Sequence, residues 1–440
     1  MRLGLKILLV LGLTLAILVP LTLVRGVIHE RKAYRAQAVA EVAASHGGAQ
    51  RLAGPVLVVP YTDRVEAVEI DARGIERCVV REQAGRWTFF PKRMDVDGRL
   101  KAGERKRGLY PVRVYEWNAR TNARFDVELP ASPLAGTTTR RIGTPVLVVG
   151  VSDVRGVVGT PTLRVDGRAL AVREGLGAFK GAGLHATLPV PAPGARIAFD
   201  AVLDLTLAGT ESLRVVPVAQ DNDIALAGNW PHPKFSGTLP RTRRVSDAGF
   251  EARWQVASLA TRAQAQYAEA MDTEGEGANL DAVQVELIDP VDIYTLADRA
   301  TKYGLLFVLL TFVGFFLFEL IRALPIHPIQ YALVGLALAI FFLLLVSLSE
   351  HVSFGIAYLV ASVACIGLIG FYLSAVLRSP LRAAGFTAML ATLYGALYGL
   401  LVSEDNALVL GAGLLFVVLA AVMAVTRKVD WYAMSLPRAA

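Results

Sequence analysis

Cysteine is almost missing from this chain: of 440 residues only Cys78, in a polar stretch, and Cys365, inside an apolar run, carry a thiol. The two lie in different environments and cannot bridge, so the polar part folds without an internal disulfide. A segment of that size has enough core to do so in either redox compartment, so thiol usage excludes no location. The signatures of familiar chemistry are missing too. There is no G-x-x-x-x-G-K-[ST] phosphate loop, no H-E-x-x-H helix, no C-x-x-C pair and no G-x-S-x-G elbow. These absences argue against ATP hydrolysis, zinc proteolysis, thiol redox work and hydrolase-fold esterase chemistry. Charged residues make up 19% of the chain, and no cluster of Lys and Arg carries interleaved aromatics. A nucleic-acid partner is therefore not expected, and neither is a cofactor. The net charge of +7 is divided among the regions of the chain, with 28–260 basic and 261–300 acidic.

What is present is a set of long uncharged runs. Ile7–Val24 carries no charge over 18 positions, about the span of a bilayer's hydrocarbon core at ~1.5 Å per residue. Further apolar stretches occupy Tyr303–Ile321, Ile329–Leu348, Val352–Leu377, Ala383–Val402 and Ala407–Val425. Six transmembrane helices are expected. Arg2 and Lys6, Arg322, Arg378 and Arg382, and Arg427, Lys428 and Arg438 all flank these runs on one side. The positive-inside rule makes that side cytoplasmic, with both termini inside and residues 28–300 outside. Arg25, Arg31, Lys32, Arg35, Arg299 and Lys302 oppose this pattern, but they border a long domain, where the rule weakens. The first run is longer than the usual signal-peptide core and no small-x-small site follows it directly, so it is read as a signal anchor.

Residues 27–50 are charged, Ala-rich and free of Pro, which predicts a helical lead-in ended by Gly47-Gly48. Short runs rich in β-branched and aromatic residues follow: Val56–Val59, Trp87–Phe90, Val112–Tyr115, Thr144–Val149, Ile197–Leu207, Phe250–Val256 and Val283–Ile288. Asp97-Gly98 and Asp166-Gly167 read as turns between strands. The expected fold is an α-helical membrane protein carrying a large, mostly antiparallel β extracytoplasmic domain, a sandwich or distorted barrel. The expected division is 1–27 as anchor, 28–300 as periplasmic domain and 301–440 as a five-helix bundle with a short cytoplasmic tail. One large β domain and two smaller ones fit equally well.

Several stretches resemble the CreD family of inner membrane proteins: RLAGPVLVVPY (51–61), ERKRGLYPVRVY (104–115), VSDVRG (151–156), LAGNWPHPKFSG (226–237), DRATKYGLLFVLLTFVGFFLFE (298–319), HPIQYALVGLALAIFFLLLVSLSEH (327–351) and VDWYAMSLP (429–437). The resemblance runs nearly end to end. It implies an inner membrane protein of Gram-negative bacteria tied to envelope integrity, expressed under the CreBC two-component system. It also implies a link to colicin tolerance and β-lactam stress. It supplies no catalytic residue.

Candidate sites are few. Ser349-Glu350-His351 and Ser403-Glu404-Asp405-Asn406 end two spans on the outer side, so Glu350, His351, Glu404 and Asp405 could gather around a hard cation or a proton. The plainer reading is that they merely cap helices. Glu319 lies inside an apolar run, one turn from Arg322, and reads either as half of a local pair or as an intramembrane functional residue. His327-Pro328 reads as a tight reversal, and Gly395 and Gly399 as a G-x-x-x-G packing face. In the β segment, Trp230 and His232 sit among prolines that could present them to a ligand or could shape a corner. Arg241, Arg243 and Arg244, and separately Arg105, Lys106 and Arg107, form basic groups that could meet anionic headgroups or the acidic stretch Asp272–Asp292.

Three functional readings compete. The first is a non-enzymatic envelope protein whose β domain binds a periplasmic or envelope partner, protein or wall component, while the helices anchor it in the lipid bilayer. The second is a transporter or channel with a cation or proton site at the outer helix ends. The third is an enzyme on lipid-linked substrates.

Overall fold

Proline and glycine bound the first two helices. The computed structural model describes residues 3–70, 76–130, 137–177, 179–273, 280–289, 292–322, 327–377, 379–403 and 407–427. Helix α1 (Leu3–Ala16) and helix α2 (Leu18–His46) part at Ile17, where Pro20 has no N–H to offer the Ala16 carbonyl. Bonds from Ile17 N to Leu13 O (3.0 Å) and from Leu21 N to Ile17 O (3.2 Å) carry the helical pattern across the break. Helix α2 stops where the paired glycines predict. Gly47 adopts φ +90 and its N–H reaches Ala43 O at 3.0 Å, a left-handed helix end that favours glycine. The chain forms two compact units, Met1–Arg35 with Pro290–Ala440, and Ala36–Asp289.

The second unit is built on two sheets. The nine-stranded sheet runs β14 (Pro233–Gly237), β17 (Val283–Leu287), β12 (Ser212–Val216), β1 (Gln50–Ile70), β6 (Val146–Val151), β10 (Phe179–Thr187) and β9 (Arg173–Leu176). The far half of β1 carries β2 (Glu76–Phe89) and β5 (Thr137–Ile142). The eight-stranded sheet runs β15 (Thr242–Ser246), β16 (Gly249–Ala257), β13 (Asp221–Gly228), β3 (Arg93–Arg107), β4 (Tyr110–Glu128), β11 (Arg196–Thr210), β7 (Val157–Val165) and β8 (Arg168–Leu170). Both sheets are mixed: β1 pairs with β12, and β13 with β3, in parallel. Apolar residues of both sheets merge in one buried cluster that includes Leu57, Val148, Trp117, Leu203 and Trp254. Helix α3 (Ala263–Thr273) adds Ala263 and Tyr267 to it.

The two turn readings separate here. Asp166 and Gly167 take φ 46 and φ 80 and join β7 to β8, with Val165 opposite Arg168, as a two-residue hairpin requires. Asp97-Gly98 is no turn. Both residues lie within β3, paired to β4 and β13. Gly98 is there because a Cβ would lie 2.1 Å from Nε1 of the fully buried Trp117. The VSDVRG stretch wraps a buried amide. Gln50 Nε2 donates to Asp153 O (3.0 Å) and Ala208 O (3.1 Å), and Gly156 has no room for a side chain beside it.

The first unit is helical: α4 (Ile293–Arg322), α5 (Pro328–Ser349), α6 (Phe354–Val376), α7 (Pro380–Val402) and α8 (Ala407–Thr426) join the start of the chain. Among the described residues, five helices are long and apolar enough to cross a bilayer: Leu8–His46, Ile293–Phe316, α5, α6 and α7. The described apolar stretch of α8, Val409–Ala424, is shorter. His327 caps α5: its side chain accepts from Ile329 N, Gln330 accepts from His327 N, and Pro328 occupies the first turn; residues 323–326, where the tight reversal is expected, lie outside the described residues. Close helix approach comes at Gly335, where a Cβ would lie 2.8 Å from Phe312 and 2.9 Å from Ile17. The G-x-x-x-G reading does not describe such a contact, since nothing described lies within 4 Å of a Cβ placed at Gly395 or Gly399.

Candidate functional site

Strand alternation decides what the eight-stranded sheet shows to water. Along β4 every second residue is buried, and the alternates Glu116, Asn118, Arg120 and Arg124 are exposed. Charged residues on neighbouring strands fall opposite them. Arg120 meets Asp204 at 2.6 and 3.1 Å, Arg124 meets Asp200 at 2.9 Å, and Arg253 meets Asp223 at 2.7 Å through both nitrogens. Asp126 takes both Lys92 and Arg196 at 2.6 Å. Exposed pairs of this kind add little stability because water and salt screen them; their larger effect is to hold the strands in register.

The pairing breaks off over β13. Its outward positions Ala225 and Ala227 are too short to fill the layer, and Gly228 follows. An open cleft of ≈ 530 Å³ forms there, bordered by Arg99, Lys101, Asn118, Asn229, Arg244 and Glu251. It shares Ala227, Arg244 and Glu251 with a second cleft of ≈ 410 Å³ that reaches Asp97, Thr242, Arg243 and Arg253. Asn229 braces one end, accepting from Ala102 N at 2.7 Å. Arg244 leans on Glu251 at 3.7 Å. Arg99, Lys101 and Arg243 have no hydrogen-bonded or ion-paired partner among the described residues. The result is a trough with small residues for a floor and a surplus of cations on its rim.

The sequence-derived candidates divide. Arg243 and Arg244 line these clefts, and Arg241 lies beside them, donating to Gln255 at 2.7 Å. Trp230 is half-buried against the core cluster. Its Nε1 donates to His232 O and Ile288 O, each at 3.1 Å, and Arg113 stacks over its ring at 4.7 Å. Arg113 is itself paired to Glu104 and Asp289. Trp230 thus pins strand ends together, and of the pair only His232 is exposed. Arg105, Lys106 and Arg107 are exposed, Arg107 pairing with Glu41 at 2.7 Å. The sequence reading misses Arg99 and Lys101 because it takes Asp97-Gly98 as a turn and places no strand over Arg93–Arg107.

In the helical unit Glu350 engages residues of α2 and α4. It accepts from Tyr294 Oη at 3.1 Å and pairs with Arg31 at 3.5 Å, its side chain 7% exposed. Asp298 takes Arg25 at 3.3 Å and Lys302 at 2.8 Å. The cations that ran against the charge rule are therefore partly neutralised by carboxylates of α4 and the end of α5. Glu404 and Asp405 lie outside the described residues. Among the described residues no three His, Cys, Asp or Glu side chains gather as a metal site would require. Glu319 is buried and accepts from Tyr331 Oη at 2.8 Å, a cross-helix bond; the side chain of Arg322, the expected local partner, is outside the described residues.

The outer-face pairs predict an acid limit. Hydrogen bonds from Arg196 and Lys92 hold Asp126 far below the usual carboxylate range, and those from Arg120 and Arg253 lower Asp204 and Asp223. Groups with depressed folded pKa values add stability above their unfolded value, roughly 3.9, and lose it as pH falls through the folded values. Tryptophan fluorescence of detergent-solubilised protein should give denaturant midpoints that are level from about pH 7 to 5 and fall below about pH 4. A profile level to about pH 2 would contradict this assignment.

Comparisons with known proteins bear on the whole chain. The sequence profile of the family described as "Inner membrane protein CreD" matches residues 2–432. A curated relative, the inner membrane protein CreD of Escherichia coli (strain K12), is 39% identical over 429 residues, covering 97% of this chain and 93% of its own. Among solved structures, an M1 zinc metallopeptidase from Deinococcus radiodurans and a point mutant of it align with 38% of this chain and 38% of theirs, at 11% identity and a TM-score of 0.18. That overlap is too slight to bear on fold or function. The chain belongs to the CreD family of inner membrane proteins.

Proposed function

We propose that this protein supports the cell envelope without catalysing a reaction, by holding an anionic envelope component, protein or wall polymer, in the cation-rimmed trough over β13. Helices α1, α2 and α4 to α8 anchor it as six spans, with both termini cytoplasmic and the β unit, a two-sheet sandwich, in the periplasm. The Lys and Arg distribution supports that orientation. The observation that carries the binding reading is the trough itself, in which the side chains of Arg99, Lys101 and Arg243 have no partner among the described residues, on a face where most neighbouring cations are paired. Cations left unpaired around a concave floor favour an anionic ligand through charge complementarity and long-range steering. The transport reading is less favoured, because Glu350 pairs with Arg31 and accepts from Tyr294, while Glu404 and Asp405 lie outside the described residues.

The test is charge reversal in the full-length protein, Arg99→Glu with Lys101→Glu. Both side chains are exposed and, among the described residues, unpaired, so membrane accumulation should stay at the wild-type level. Protection against envelope stress should fall to that of a deletion strain, and photocrosslinks placed at Arg243 should lose their discrete partner. Full protection with intact crosslinks would sink this reading. Alanine replacement of Glu350 and His351 is expected to leave protection unchanged if protein levels hold.

A further inference from the structure

The strand order of the two sheets ends at β14, β9, β15 and β8. All but one of these ends are guarded. β14 opens with Pro233, β9 slips register against β10, and β8 spans only Arg168–Leu170. Proline, irregular pairing and shortness each keep another strand from adding to an edge. β15 has none of these protections: it pairs with β16 in continuous register over Thr242–Ser246, and every one of its residues is exposed. Among the described residues no strand lies on its other side. Its loop to β16 is the residue pair Asp247-Ala248, and a two-residue hairpin makes the flanking residues, here Ser246 and Gly249, a hydrogen-bonded pair. Alternation along an antiparallel ladder then turns the backbone N–H and C=O of Arg243 and Val245 away from β16, toward the open edge. Among the described residues no backbone bond from elsewhere reaches either of them.

The side chains along this edge select what it accepts. Arg241 donates to the neutral Gln255 and Arg244 meets Glu251 at 3.7 Å, while Arg243 has no partner among the described residues. Two copies of β15 laid edge to edge would set these arginines against one another, which disfavours a second copy. Val245 stands opposite the buried Phe250 yet is 47% exposed, so the apolar layer of the sheet is left uncovered at its margin. We propose that β15 takes an extended acidic segment of another protein as an added strand. Backbone bonds run to Arg243 and Val245, carboxylates lie beside Arg243 and Arg244, and an apolar side chain lies beside Val245. Strand addition of this kind draws affinity from main-chain bonds and selectivity from alternate side chains. The assignment rests on the reading that the cationic rim holds an anionic envelope component, and it narrows that component to a protein strand.

The experiment is fluorescence anisotropy with the full-length protein in neutral detergent. The probe is a short labelled peptide containing the run Thr-Val-Glu-Asp-Thr, beside a version in which Lys replaces Glu and Asp. N-methylation of alternate residues blocks one edge of the peptide and leaves the other edge free, so both frames are made. One frame should abolish binding, the other should leave it intact, and the Lys version should not bind. Val245→Pro removes an edge donor at a position where a sheet tolerates proline, and should weaken binding at least about tenfold. Val245→Thr should bind as wild type does. The methylation arm uses wild-type protein, so it decides the matter if Val245→Pro fails to accumulate. Binding that survives methylation in both frames, survives Val245→Pro in the folded protein, or is equal for the Lys version would overturn strand addition, and so would an acidic peptide that does not bind. Polygalacturonate that binds where the peptide does not, and is lost with Arg99→Glu and Lys101→Glu, would overturn strand addition while leaving the trough reading in place. A wild-type dimer that Val245→Pro dissolves would give the edge to a second copy and sink the proposal equally.

Discussion

Arg140→Met should cost about 3 kcal/mol of stability, because it strands a shielded carboxylate. Asp63 and Arg140 meet through two bonds of 2.6 and 2.7 Å where β1 pairs with β5, with side chains 5% and 6% exposed. The guanidinium lies over the rings of Tyr61 (4.8 Å) and Trp87 (5.0 Å), which stack on one another at 4.3 Å. The shielding is a single layer of rings over a sheet extension, so the cost falls toward the low end for buried pairs. Arg140 holds the Asp63 carboxyl below its ordinary pKa, mainly by hydrogen bonding. Without it, Asp63 must either keep an unpaired charge or take up a proton. Arg140→Met should therefore soften the acid limb, whereas Arg140→Met with Asp63→Leu should recover most of the loss, since an apolar pair can replace a buried ionic one. Urea unfolding read by tryptophan fluorescence decides it; a double variant no more stable than Arg140→Met removes the argument.

Gly98→Ala should be similarly damaging, about 3 kcal/mol, for a steric reason. A methyl group at that position would fall 2.1 Å from Nε1 and 2.7 Å from the ring of Trp117. Trp117 is fully buried in a central strand, and dense cores give little ground. Replacing the indole by a smaller group in the same chain, Gly98→Ala with Trp117→Leu, should cost less than the two single changes added together. Additive losses would show that Gly98 is retained for some other purpose. Because β3 also carries Arg99 and Lys101, the variant should weaken the trough as well.

Position 98 shows where sequence reading failed. The helices were legible because roughly 20 uncharged residues leave few alternatives. The strands centred on Val56, Val112 and Ile197 were found, but shorter than they are. β1 runs to Ile70 and β4 to Glu128, since charged residues alternate with apolar ones there and mask the strand. Asp-Gly is a strong local turn signal, and at residues 166–167 it was right. At 97–98 a distant tryptophan overrode it, which no local pattern reports. The trough followed the same course. Arg243 and Arg244 were visible as a cluster, whereas Arg99, Lys101 and the short floor residues Ala225 and Ala227 become neighbours only through the parallel pairing of β13 with β3. Glu350 stands out in the sequence, but its partner Arg31 precedes the whole β unit.

The pairing of Arg25 with Asp298, 273 residues apart, sets a condition on biosynthesis. A ribosome releases the arginines of α2 long before the acidic residues of α4 and α5 exist. During that interval Asp298 and Glu350, which the folded chain sets against Arg25 and Arg31, are not yet there to meet these guanidinium groups. Chains that terminate before residue 298 would lack both of these carboxylates.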